Sequence, residues 1–290
     1  MAQSPAHKFG QIIGGVVEAA VEPLLQQFAG KHGLYLDKKG PRTARSGNKV
    51  TWTDLHANKH DLDFVLERGG TDQRIGTPVA FIESAWRRYT KHSRNKAQEI
   101  QGAVLPLAET HRNAGVLIGT ILAGVFTDGA LDQLRSLGFC VLYFPYDSVI
   151  KAFQRVRLDA RFDEDTPDTE VARRVRAWQA LPEKQHRSVS RALVEINRKE
   201  VSAFADALER VVSRRIESIR ILPLHGSPVD LPSVTEAIAF IEHYDEKTGA
   251  SPVAKYEAQI RYSNGDRIDA QFQDKAGAIA FLRTFQPVRA

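Results

Sequence analysis

The chain has 290 residues with a formal net charge of +5, and it is 42% hydrophobic and 26% charged. These proportions fit a soluble globular protein of about two domains. No apolar run approaches a bilayer-spanning length and the start lacks a signal peptide's basic–apolar–small pattern, so a cytoplasmic protein without a membrane partner is expected.

The elements follow in chain order. Residues 9–30 are predicted to be an amphipathic helix, with Ile12, Ile13, Val16, Val17, Ala20, Leu24 and Leu25 near the helical period and Pro23 as the place for a kink. Residues 37–49, rich in Lys38, Lys39, Arg42, Arg45 and Lys49, read as a mobile basic loop. Strands are expected at 50–55, 61–67 and 78–83, the last two separated by a turn containing Gly69, Gly70 and Gly76. A helix over 94–110 precedes a central strand within 115–126, a short helix at 131–138, a buried strand at 139–144 and a helix at 147–155. Cys140, the single cysteine, falls in that buried strand, which excludes a disulfide within the chain or a zinc site built from cysteines.

The alternation gives an α/β domain over 1–162. The acidic turn-rich stretch 163–168 opens a helical connector, 163–217, whose residues after Pro182 form one long helix or two. Residues 218–290 read as a small α+β module for recognition or dimerisation, with Asn264-Gly265 as a strong hairpin signal. No internal repeat is expected.

The chemistry concentrates in the first domain. Asp61 and Asp63 share one face of the predicted strand 61–67, and acids are depleted in strands. Glu83 ends an apolar strand, where a carboxylate needs a cation or hydrogen bonds to offset desolvation. Magnesium suits such a site because it takes a few carboxylates, keeps waters and bridges to phosphate oxygens. Lys96 lies at the edge of the packing face of the next helix, with Glu99 further toward solvent, and Lys91 in the preceding turn is a second candidate for the same role. Arg87, Arg88 and Arg94, together with Lys38 and Lys39 of the basic loop, are the candidate phosphate contacts. The basic balance of the chain agrees with a nucleic-acid partner.

These segments, Asp61-Leu62-Asp63-Phe64-Val65-Leu66 and Ile82-Glu83-Ser84-Ala85, resemble the PD-(D/E)XK nuclease superfamily, home of many type II restriction endonucleases. The resemblance covers roughly residues 9–155 and is carried by element order more than by motif. It implies a restriction-endonuclease-like αβββαβ core. It also implies Asp63 and Glu83 as ligands of Mg²⁺ (or Mn²⁺), Asp61 as the alternative first ligand, and Glu18 of the first helix as a further acid beside the metal. The sequence departs from the family where the lysine is expected, because that position is Ala85. Some members carry the lysine on the following helix, which is where Lys96 lies; others are catalytically silent and only bind nucleic acid.

The plainer readings of the same residues are edge-strand charges for Asp61 and Asp63, an ion pair of Glu83 with Arg87 or Arg88, and a surface pair for Lys96 with Glu99. The expectation taken forward is a metal-dependent endonuclease acting on double-stranded DNA, a homodimer in a type II-like restriction or phage-defence setting with a methyltransferase or defence-system partner. The alternatives are an inactive DNA-binding or regulatory subunit, a protein-interaction module and an RNase.

Overall fold

Ser4 and Pro5 start the first helix, α1 (Pro5–His32), in the computed structural model, which describes residues 4–90, 93–247 and 253–286. Ser4 Oγ accepts the His7 N–H, and Gly33 closes the helix in the left-handed conformation with φ 63°. Phe9, Ile13, Val16, Val17, Ala20, Leu25 and Ala29 form the buried stripe of α1. Glu18 lies beside that stripe and is half-buried.

The chain then builds β1 (Leu34–Lys38), a two-stranded antiparallel ribbon of β2 (Val50–Thr53) and β3 (Lys59–Leu62), and the strands β4 (Phe64–Arg68) and β5 (Thr77–Arg87). Helix α2 (Ser93–Thr110), β6 (Leu117–Gly124), α3 (Asp128–Ser136), β7 (Cys140–Pro145) and α4 (Tyr146–Gln154) follow. The main sheet runs β1-β4-β5-β6-β7, antiparallel from β1 to β5 and parallel from β5 to β7, so the unit is mixed α/β. Phe81 and Ala85 of β5 are buried with Ala97, Ile100 and Val104 of α2 and Leu134 of α3. The alternate residue Trp86 faces the other way, toward Gly10 of α1, where a Cβ would lie 3.5 Å from the indole nitrogen. Cys140 is half-buried rather than a core residue.

Strand β5 runs four residues past its expected end because β6 pairs with it continuously from Glu83↔Thr120 to Arg87↔Gly124. Gly124 ends that ladder with φ 101°, and a Cβ there would stand 2.1 Å from the Arg87 carbonyl oxygen. Gly124→Ala is therefore expected to destabilise the protein by ~2 kcal/mol or more, read as a lowered urea midpoint at unchanged slope.

Two expectations for the first unit change. The strand expected at 61–67 is two strands in different sheets, divided by a bend at Asp63, so Asp61 and Asp63 do not share a strand face. The loop 37–49 is pinned rather than mobile. Arg42 bonds both carboxylate oxygens of Glu67 at 2.6 and 2.9 Å and pairs with Asp37 at 2.8 Å, and Arg45 holds Asp37 at 3.1 Å.

The helical region also differs from a connector. Helices α5 (Asp168–Gln179) and α6 (Glu183–Ile196) pack on α1, and α7 (Arg198–Ser213) follows. Trp178 lies 5.0 Å from Phe153 between ring centroids, and Ser190 Oγ donates to the Val16 carbonyl at 3.3 Å. Val171, Val175, Val189 and Leu193 are buried. These apolar stripes close over the α1 side, which is why the first compact unit extends over Met1–Glu209 instead of ending near residue 162. The chain breaks between α6 and α7 at Asn197, a buried residue whose amide oxygen accepts from Ser148 Oγ at 2.9 Å and whose Nδ2 donates to Leu193 O at 2.7 Å.

The second unit, Arg210–Ala290, contains β8 (Ile216–Leu224), β9 (Val229–Leu231), α8 (Val234–His243), β10 (Lys255–Tyr262), β11 (Arg267–Phe272) and α9 (Lys275–Arg283). Its antiparallel sheet has the order β11-β10-β8-β9, with Ile219, Ile221, Tyr256 and Ile260 of the strands buried in one cluster with Ile241 of α8 and Leu282 of α9. The unit is a β-β-α motif used twice. Ala237-Ile238-Ala239-Phe240 of α8 recurs as Ala278-Ile279-Ala280-Phe281 of α9, and Ser233 and Asp274 cap the two helices in the same way. This corrects the expectation of no internal repeat. The likeness is confined to the helices, and the first hairpin turns through 225–228 where the second uses Asn264-Gly265, so the two halves do not align as strings.

Candidate active site

A fork in the main sheet builds the site. Strands β4 and β5 pair from Phe64↔Ile82 onward, and the ladder stops one residue short, where Asp63 stands opposite Glu83. Asp63 Oδ2 accepts the backbone N–H of Ser84 at 2.7 Å, replacing the ladder bond at the point where β4 leaves β5. Thr120 is fully buried, and its hydroxyl donates to the Glu83 carbonyl at 3.1 Å, which fixes the backbone of Glu83 from the β6 side. The register of two adjacent antiparallel strands brings the two acids together.

The two carboxyls are in hydrogen-bond contact. Burial, then the hydrogen bond to Asp63 and its charge, push the Glu83 carboxyl up to about 9, while the Lys96 ammonium pulls in the opposite direction. The pair therefore retains a proton at neutral pH. Glu18 on α1 approaches from the other helix. Its carboxyl is raised by burial and by the charge of Asp63, against the lowering effect of Lys39. Asp63 thus links Glu18 to Glu83, and Lys39 and Lys96 supply positive charge on either side.

Lys96 is mostly buried on α2, and its ammonium lies 3.3 Å from Glu99, whose same oxygen is 3.5 Å from Arg87 Nη2. Arg87 therefore pairs with Glu99 rather than with Glu83. Ala85, at the position where the family lysine was expected, is buried in the cluster beneath α2 with Ala97.

The remaining candidates are placed as follows. Asp61 is on the β2–β3 ribbon, where Lys49 and Thr51 each bond its carboxylate at 2.6 Å and hold its pKa below the ordinary carboxylate value. The fork gives Glu83 the carboxyl of Asp63 as its partner, not that of Asp61. Arg88 stacks on the rings of Tyr89 and Phe162 at 4.1 and 4.2 Å, and burial lowers its pKa, so aromatic packing occupies the faces of its guanidinium. Arg94 is exposed on the first turn of α2, Lys38 pairs with Glu22, and Lys39 is exposed near Glu18. Lys91 lies outside the described residues. His60 is bound to Asp54 at 2.9 Å, a bond that lowers the Asp54 pKa in a turn also held by Asn58 and His56.

Sequence reasoning missed the buried Asp37–Arg42–Glu67 network that anchors the loop carrying Lys39. Its one legible signal was a pair of acids, Asp37 and Glu67, inside strand-like stretches. Among the described residues no group of three or more His, Cys, Asp or Glu side chains is drawn together tightly enough to hold a metal ion. A half-buried pair of hard oxygen donors with a lysine beside it nevertheless fits the ligand chemistry of a magnesium ion that keeps most of its waters.

No family model matches the chain, and no curated protein matches it. Among solved structures the chain is similar to one described as a protein of unknown function, AF1548, with 13% identity over 68% of this chain and 97% of that one. The TM-score is 0.30, too low to bear on fold or activity. No helix among the described residues is long and apolar enough to cross a membrane.

Proposed function

We propose that this protein is a metal-dependent endonuclease of the PD-(D/E)XK type, with the main sheet, α1 and α2 as its core and the fork at Asp63 and Glu83 as its active site. The element order supports this reading. Helix, three antiparallel strands, helix and parallel strand occur as α1, β1, β4, β5, α2 and β6, with the β2–β3 ribbon inserted. The observation that carries the proposal is the pair of half-buried acids at the fork, Asp63 opposite Glu83 at the end of the β4–β5 ladder, an arrangement that pushes the Glu83 carboxyl up to about 9. A carboxyl pair that must share a proton is a site that a divalent cation relieves.

Asp63 and Glu83 would hold Mg²⁺ or Mn²⁺, with Glu18 behind Asp63. The cation supplies Lewis-acid activation of water and neutralises charge on the scissile phosphate. Lys96, beside Glu83, would hold a phosphate oxygen or orient the attacking water as a hydrogen-bond donor. Arg87, Arg94 and Lys39 stand on the flanking surface as contacts to the nucleic-acid backbone. The setting that suits this chemistry is cleavage of double-stranded DNA by a homodimer in a restriction or phage-defence system.

The test is nicking of supercoiled plasmid in Mg²⁺. Asp63→Ala is expected to abolish it, and Lys96→Ala to slow it by ~10²-fold, the order of the loss of one transition-state hydrogen-bond donor. A second reading, a nuclease fold that binds DNA without cutting it, is favoured by the buried Ala85. Retained duplex binding with no Mg²⁺-dependent nicking would establish that reading and overturn the first. Parallel reactions on RNA separate a ribonuclease from both.

A further inference from the structure

One oxygen of Glu99 is shared by two cations from different elements. Its Oε2 lies 3.3 Å from Lys96 Nζ on the same helix and 3.5 Å from Arg87 Nη2 at the end of β5. The Glu99 side chain is 59% exposed, whereas Lys96 is 18% exposed, so the acid sits on the solvent side of a cation that also faces Glu83. An anionic oxygen bridging an ammonium and a guanidinium is the geometry a non-bridging phosphate oxygen adopts against the same two groups.

We propose that Glu99 occupies the phosphate position in the DNA-free protein and is displaced by the backbone of the incoming strand. This rests on the nuclease reading and deepens it, naming a residue that sets how strongly the site takes a phosphodiester. Ion pairs whose acid is this exposed are weak, so displacement is cheap. The phosphate gains both cations, and the displaced carboxylate remains near the backbone as a repelling charge. Weak, non-productive contacts are thereby penalised, and only a strand seated well enough to hold Arg87 and Lys96 displaces the acid.

The test compares Glu99→Gln with a charge-matched control, Glu109→Gln. Glu109 lies on the same helix and pairs with Arg112 at 3.3 Å, both exposed. Binding of an oligonucleotide duplex is measured in Ca²⁺ over a range of salt, and plasmid nicking in Mg²⁺. Glu99→Gln is expected to bind ~3–10-fold more tightly, with a log–log salt slope steeper by about 1 because the negative charge that offsets one of the two cations is gone. Its KM falls while kcat stays within about 3-fold of the wild type, as for binding shared by ground and transition states. Glu109→Gln is expected to shift affinity by less than about 2-fold and to leave the slope unchanged.

Equal behaviour of the two variants, or weaker binding by Glu99→Gln, overturns the proposal. A fall in kcat without a change in affinity also overturns it, because Glu99 would then be positioning Lys96. If the wild type cuts plasmid and only the Glu99 result fails, the nuclease reading stands. If the wild type neither binds nor cuts, both fall together.

Discussion

Glu83→Gln is expected to abolish Mg²⁺-dependent cleavage, by ~10²-fold or more, while making the metal-free protein more stable at alkaline pH. The two effects share one cause. Glu83 is raised from an ordinary value near 4.5 up to about 9, by burial first and by Asp63 second. A raised carboxyl favours the fold fully below the unfolded value, and that contribution is lost as pH climbs through the folded value. The metal-free wild type should therefore lose stability steadily between these two values. Glutamine preserves the shape of the protonated acid and does not titrate, so the variant should show a flatter profile. Near pH 8 it should be more stable than the wild type by ~2 kcal/mol or more, or a Tm higher by about 4 °C. Mg²⁺ should raise the wild-type Tm more at high pH than at low, and should not raise that of the variant. Thermal melts across pH with and without Mg²⁺ check all three statements, and equal profiles for the two proteins would contradict them.

Arg42→Ala is expected to be the most destabilising single change in the first unit. The Arg42 side chain is 1% exposed, and it faces Asp37 at 2% and Glu67 at 0%. Burial alone would lower its pKa, but hydrogen bonds to the two acids outweigh burial and raise it, so the guanidinium stays charged. Its Nη2 also donates to the carbonyls of Thr71 and Arg74 at 2.8 Å, and its face lies 4.2 Å from the Tyr35 ring. Removing it leaves Glu67 buried with the Gly76 N–H as its remaining partner among the described residues, and Asp37 with Arg45. Loss of one partner from such a network costs about 3–5 kcal/mol. That should lower Tm by roughly 6 °C or more. Glu67→Gln in the Arg42→Ala background should restore part of the loss, because the stranded charge is then gone. Urea melts of the single and double variants check this, and a change of less than ~1 kcal/mol for Arg42→Ala would contradict it.

The legible part of the fold was what local chemistry dictates. The stripe of α1, the apolar strands β5, β6 and β7 and the Asn-Gly hairpin of the second unit all carry periodic or turn signals that need no tertiary information. What could not be read were features set by partners distant in the chain. The break at Asp63 depends on two sheets competing for one segment, and an alternating pattern is the same on either side of the bend. The basic loop looked mobile because lysines and arginines usually face water, and the acids that hold Arg42 lie on β1 and β4. The boundary near residue 162 failed for a similar reason. An acidic turn does mark a chain reversal there, but the helices beyond it return to cover α1.

The site shows the same division. Asp63, Glu83 and Lys96 were nameable from strand ends and helix position, and the fork brings Asp63 and Lys96 each within electrostatic reach of Glu83. Asp61 looked equivalent to Asp63 in sequence and is held apart by Lys49 and Thr51. Arg88 looked like a phosphate contact and is packed on aromatic rings.

Calorimetric titration of the metal-free protein with Mg²⁺ or Mn²⁺, repeated near pH 7 in buffers of different ionisation enthalpy, probes the carboxyl pair itself. Ligand carboxyls must be ionised to bind a cation, and Glu83 begins protonated, so about one proton should be released per ion bound. Glu83→Gln should show neither the binding nor the release. Binding without proton release, or no binding in the wild type, would contradict a cation pocket at Asp63 and Glu83.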